Sequence, residues 1–223
     1  MSRLERLDPG KGRRGRQFNT RAPRRSFLIV CEGEVTEVRY FEAFPVRKEV
    51  LVAVRGEGKN TTSLVEAAVR HADRAVDNQS RFDEVWVVYD HDDFGADKFN
   101  RAAADIHALD GKRDERWHAA WSHQAFEVWY LLHFQYFDGR LHRHLVQKRL
   151  GELLQQHFGR ASYRKNDPAI YELLLARQPA ALQHAHRLTR EHTVAPHGDT
   201  PPATPNPCTQ VHRLVEALNA EIR

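Results

Sequence analysis

The sequence predicts an α/β protein built around a mostly parallel sheet. Two continuous apolar runs, Phe27–Cys31 and Val85–Tyr89, have the character of strands buried on both faces. Strand and helix candidates alternate four times between Phe27 and Phe134, the pattern of helices layered on a parallel sheet. From Gly139 to about Thr193 the chain is Leu- and Ala-rich with no strand candidate, which predicts a helical C-terminal portion.

Each element follows from its local pattern. The first apolar run stops at Glu32-Gly33, and a helix over 36–44 carries Tyr40, Phe41 and Phe44 on one side. Residues 50–54 form a second strand candidate. Ser63-Leu64-Val65-Glu66 has the form of a capping box, and Leu64, Val65, Ala68, Val69 and Ala72 continue a helical stripe. The run at 85–89 ends in Asp90-His91-Asp92-Asp93. A helix over 99–109, a weaker strand over 117–121 and a helix from about 125 to 134 complete the alternation. Two or three helices are expected over 139–193, with Pro168 and Pro179 near helix starts. Five prolines mark 195–207 as a loop, after which Thr209 can cap a last helix with Val211, Leu214, Val215 and Leu218 on its apolar face.

Charge divides the chain differently. The 223 residues carry a formal net charge of +4. Residues 1–25 hold nine Lys/Arg against Glu5 and Asp8, a local +7, and the remainder is −3. This N-terminal stretch has few large apolar residues and no periodicity, so it reads as a disordered basic arm. Residues 26–138 read as the α/β core and 139–223 as the helical C-terminal region. Arg13, Arg14, Arg16, Arg24 and Arg25 of the arm are candidate nucleic-acid contacts.

Several classes are excluded. No apolar run approaches the ~20 residues of a membrane span. The N-terminus lacks the apolar stretch of a secretory signal. Cys31 and Cys208 make neither a disulfide framework nor a metal-binding pair, so a reducing, cytoplasmic setting is expected. There is no P-loop, GxGxxG or GxSxG motif. His142/His144 and His184/His186 are two residues apart, which puts each pair on different helix faces. Trp86, Trp117, Trp121 and Trp129 fall on elements of the sheet layer, where packing accounts for them.

The acids at the strand ends carry the chemistry. Glu32 directly follows one buried strand, and Asp90, Asp92 and Asp93 end another, so both sets lie at the carboxyl edge where open parallel sheets bind ligands. Clustered carboxylates repel one another unless a cation intervenes, and hard oxygen donors suit Mg²⁺ or Mn²⁺. An Asp-rich turn that caps the following helix is the structural alternative. Glu127 begins an otherwise apolar helix; there it either complements the helix dipole or serves as a further ligand or water-orienting carboxylate. Glu37 reads as an exposed acid of a first helical turn, and His91 points away from the aspartate side. Lys165, beside Tyr163 and Arg164, is a candidate phosphate contact.

Four blocks in chain order resemble the RloB family. Phe27–Cys31 with Glu32-Gly33-Glu34-Val35-Thr36-Glu37 and Tyr40-Phe41 is similar to its strand, EGxxTE and YF opening. Val85–Tyr89 with Asp90-His91-Asp92-Asp93 resembles its DxDD block, and Phe126-Glu127-Val128-Trp129-Tyr130-Leu131-Leu132-His133-Phe134 its FExWLLxHF block. Asn206-Pro207-Cys208-Thr209 with Val211, His212 and Leu214 resembles its closing NPxT segment. One departure is that His123-Gln124 follows Ser122 where the family often has Asn-Pro.

The resemblance implies a Toprim-like fold, the catalytic module of topoisomerases, primases and several nucleases. There one Glu and a DxD pair bind Mg²⁺ for phosphodiester chemistry, at positions matching Glu32, Asp90 and Asp92. The expected activity is therefore a metal-dependent nuclease acting on DNA or RNA, tRNA included, in anti-phage defence. The alternative is a non-catalytic nucleic-acid-binding or sensing subunit of a larger defence complex, for example beside an ATPase.

Overall fold

The computed structural model describes residues 25–58, 61–91, 95–140, 142–160, 162–193 and 203–222. Arg13, Arg14, Arg16, Arg24, Asp92, Asp93 and most of the proline-rich loop lie outside the described residues.

The chain runs β1 (Ser26–Cys31), α1 (Thr36–Glu42), β2 (Leu51–Gly56), α2 (Thr61–Asp77), β3 (Glu84–His91), α3 (Ala96–Asp110), β4 (Arg116–His123) and α4 (Glu127–Leu132). Then follow α5 (Arg143–Phe158), α6 (Ile170–Leu175), α7 (Gln178–Thr193), β5 (Cys208–Thr209) and α8 (Val211–Asn219). The strands form one sheet in the order β2-β1-β3-β4-β5. β1 to β4 are parallel, and β5 pairs antiparallel with β4. This is an α/β fold with a mostly parallel sheet.

Side-chain alternation along the strands divides the core in two. Phe27, Ile29, Cys31, Trp86 and Val88 face one side, where α1 and helices α4 to α8 supply a single apolar cluster. Leu28, Val30, Val85, Val87 and Tyr89 face the other, against α2 and α3. Both central strands are thus covered on both faces, which is why they read as unbroken apolar runs. The C-terminal helices do not form a core of their own: Val146, Leu150, Ala185 and Leu214 pack in the same cluster as Phe27 and Ile29. The four tryptophans are buried.

Two local expectations differ from the structure, and one short strand has no counterpart in the sequence pattern. α2 begins at Thr61, two residues before Ser63, so Ser63 is not its cap. Its buried stripe starts at Leu64, and one further turn of helix precedes that stripe. Thr209 lies in β5 and Gln210 stands at the N-cap of α8, although Thr209 Oγ1 still accepts from the Val211 amide at 3.2 Å. β5 itself has only two residues, too few for any periodicity. Its pairing comes from its neighbour: the Gln210 amide donates to the Trp121 carbonyl at 2.7 Å, and the hydroxyls of Ser122 and Thr209 are 3.0 Å apart.

Candidate functional site

Chain order turns back between β1 and β3. From β1 the chain steps to β2 on one side, then returns to place β3 on the other. The carboxyl ends of those two strands flank the switch point, where the crossovers leave a crevice. Glu32 and Asp90 both sit there. The Glu32 amide continues the ladder by donating to the Val88 carbonyl at 2.9 Å, and Glu32 Oε2 accepts from the Asp90 amide at 3.0 Å. Asp90 shares its side of the sheet with Trp86 and Val88, the side on which α1 and α4 pack.

Two glycines let the loop after β1 fold down onto this edge. A Cβ on Gly56 would lie 2.7 Å from the Glu34 Cα and 2.9 Å from the Gly33 carbonyl oxygen, so backbone crosses backbone there with no room for a side chain. A Cβ on Gly33 would lie 2.2 Å from Glu37 Oε2. Glu37 occupies the space that Gly33 leaves empty, and its carboxylate accepts from backbone amides of its own residue and Gly33. The expectation that Glu37 is an exposed first-turn acid is therefore corrected: it is 6% exposed and turned inward. Its spacing to Gly33 is the trace this leaves in the sequence, since only a residue without a side chain permits the turn inward.

Glu127 opens α4 and is likewise buried. Its Oε1 accepts from Gln147 Nε2 of α5 at 3.0 Å and from the Tyr163 hydroxyl at 3.1 Å. Arg143, at the first position of α5, reaches within 3.7 Å of Asp90 Oδ2, and its amide is fixed by Gln124 Oε1 at 3.0 Å. Thr36 Oγ1 donates to the Lys165 carbonyl at 3.1 Å, and the Arg39 guanidinium donates to the Asn166 carbonyl. α1 thereby holds the 163–166 segment over the cavity.

The result is a cavity of about 560 Å³ lined by the acids Glu32, Glu34, Glu37, Asp90 and Glu127 and by Arg143 and Lys165. Burial, followed by the charges of Glu37, Glu127 and Glu32, pushes Asp90 well above the usual carboxylate range, against the pull of Arg143. Burial also raises Glu37; its backbone amide bond opposes this, Glu127 adds to it, and Lys165 opposes it. This corner of the protein therefore holds more negative charge than its two cations comfortably offset.

The sequence-predicted residues divide accordingly. Glu32, Asp90, Glu127 and Lys165 converge on one cavity. Arg25 does not: it lies at the amino end of β1, the opposite edge of the sheet, and its guanidinium is 3.4 Å from Glu84. His91 does not line the cavity; its ring stacks on His123 with centroids 4.2 Å apart. Burial, then the neighbouring His91, pushes His123 down to about 4, so it stays neutral at physiological pH. Sequence reasoning missed Glu37 and Arg143. Nothing in the sequence around Arg143 marks it, because α5 reaches the site only through tertiary packing.

A family model described as RloB-like protein matches residues 27–218, most of the chain. The chain belongs to the RloB-like family. No curated protein matches it. The matched span in this family member includes β1, β3, α4 and the NPxT segment, hence every described residue of the cavity. Among the described residues no helix is long and apolar enough to cross a membrane.

Proposed function

We propose that this RloB-like protein is a divalent-metal-dependent phosphodiesterase that cleaves nucleic acid. The observation that carries the reading is the set of five acids around one cavity at the switch point, with Glu32 bonded directly to the backbone of Asp90.

The donor set fits a hard cation. These acids all offer oxygen, and Asp90 and Glu37 are held against charge by burial and by neighbouring acids, a cost that a cation would remove. Among the described residues no group of three His, Cys, Asp or Glu is placed to hold a metal ion. Mg²⁺ commonly takes only one or two protein carboxylates and keeps several waters, which Glu32 and Asp90 satisfy. When bound, such an ion activates water and offsets the charge that develops on a scissile phosphate.

The chain's own residues do the rest. Glu32 and Asp90 present oxygens at the strand ends. Glu127, pinned through Oε1 by Gln147 and Tyr163, is positioned as a carboxylate that orients water. Lys165 brings positive charge to the phosphate oxygens from the rim. The resemblance to the RloB family, which implies anti-phage defence, is what extends this reading to a defence role.

The test is cleavage of plasmid DNA and of tRNA by the full chain with Mg²⁺, Mn²⁺ or EDTA. Cleavage with metal, absent with EDTA and lost in Glu32→Gln and Asp92→Ala, is the expected result. Nucleic acid bound but left intact across all substrates and metals overturns it in favour of a binding subunit working beside another component, such as an ATPase. The basic arm gives a separate expectation. Removing residues 1–24, which keeps Arg25 and its contact with Glu84, weakens nucleic-acid binding and flattens its salt dependence through lost counterion release. An unchanged salt slope assigns the arm another role.

A further inference from the structure

The carboxylate cavity does not end at Lys165. Lys165 also lines a second cavity of about 460 Å³ between α5 and residues 162–165. Ser162 joins that cavity to a third, of about 620 Å³, which includes Arg160 and Arg164. Through these shared residues the three adjoin as a run of depressions.

Its floor along α5 is a polar stripe at four-residue spacing, Arg143, Gln147, Gly151 and Gln155, the first in the carboxylate cavity and the others in the second. Its opposite wall is the segment that Thr36 and Arg39 tether. The stripe from Arg143 to Gln155 is about 18 Å long at the helical rise. That is the axial length of about five nucleotides in one strand of a duplex.

Beyond the carboxylate cavity, the acids that line these depressions are already paired. Glu152 is engaged by Arg149 at 3.1 Å and Asp167 by Arg160 at 3.0 Å. Lys148, Arg164 and Lys165 are exposed, and among the described residues none has a carboxylate within ion-pairing reach. These three cations border the run of depressions that leads into the carboxylate cavity.

We infer that this path, from Arg164 past Lys148 and Lys165 to Arg143, is a track for the sugar-phosphate backbone of a nucleic acid. The inference rests on the phosphodiesterase reading for what happens at the end of the track, but not for binding along it. Contacts here are to phosphate, so the track orients a strand without reading its sequence.

The test measures binding without cleavage. The full chain is titrated with labelled single-stranded DNA, single-stranded RNA and duplex DNA in EDTA, by fluorescence anisotropy from 50 to 200 mM salt. Lys148→Ala/Arg164→Ala is compared with Arg70→Ala/Lys112→Ala, an equal loss of charge on the α2–α3 side. The track variant is expected to bind about tenfold more weakly, with the slope of log affinity against log salt smaller by about 1.4 to 1.8, two phosphate contacts' worth. The control pair leaves the slope at the wild-type value. Equal losses from both pairs, or an unchanged slope in the track variant, overturn the track. Cleavage separates the two readings. If wild type cleaves with metal and the slope is unmoved, the track fails and the enzyme stands. If the slope falls and nothing is cleaved, the track stands and the hydrolytic reading fails. The three nucleic acids show which strand form it holds.

Discussion

Asp90→Asn is expected to abolish metal-dependent cleavage and, in the same molecule, to raise thermal stability at neutral pH. Asparagine keeps the backbone amide that Glu32 accepts from, and it nearly preserves volume, but it removes an anionic oxygen facing Glu37, Glu127 and Glu32. The electrostatic help of a bound ion amounts to several kcal/mol in a phosphoryl transition state, so the cleavage rate falls by about 10³-fold or more. Stability moves the other way. The native state holds the Asp90 proton to higher pH than the unfolded chain does. Wild type therefore loses stability as pH climbs from the ordinary Asp range near 3.9 through the raised native value. The variant has no such loss at this position. The difference in Tm between variant and wild type, measured without divalent ions, should be smallest near pH 4 and grow toward pH 8. Each kcal/mol corresponds to roughly 2–4 °C in a chain of this size. Adding Mg²⁺ should close the gap by lifting only the wild type, by about 2.7 kcal/mol at a hundredfold excess over Kd. Unchanged cleavage, or a Tm gap that ignores pH, would remove Asp90 from the site.

Trp129→Ala is expected to be the most damaging single change to the fold. Trp129 is fully buried in α4, and its Nε1 donates to the Tyr40 hydroxyl of α1 at 2.8 Å. The Tyr40 ring in turn meets Phe41, Phe44, Phe126, Tyr130 and Tyr171, with centroids 5.4 to 5.8 Å apart. Truncation leaves a void and takes a hydrogen-bond donor from a buried hydroxyl. The cost is about 3–5 kcal/mol, a fall in Tm of roughly 6–20 °C. Trp129→Phe keeps most of the volume and loses only the donor, so it should cost about 1–3 kcal/mol. Denaturant melts of the two variants check this. A loss below about 1 kcal/mol in Trp129→Ala would mean that α1 and α4 are held together by other contacts.

The parts of the fold that were legible in the sequence are those set by local periodicity. β1 and β3 showed as apolar runs because helices cover both their faces, and α2 and α8 showed as stripes because each buries one side. Glu32 and Asp90 were legible because a charged residue ending a buried strand has few places to go. Glu37 was not, since its helix position alone suggests exposure. What turns it inward is the missing Cβ of Gly33 four residues away. Arg143 and Gln147 were silent because an amphipathic helix does not state which neighbour its polar side meets. β5 was silent because two residues carry no period.

Glu127 is clamped from α5 and from Tyr163, and Lys165 hangs from α1. The cavity thus draws on residues far apart in the chain, from Glu32 to Lys165. A polypeptide emerging from the ribosome has made β1 to β4 with Glu32, Glu37 and Asp90 by the time His123 appears, yet it lacks Glu127, its clamp and both cations. On the proposed phosphodiesterase reading, the site is completed only when the 163–166 segment has been made, and any product cut short before Tyr163 lacks it.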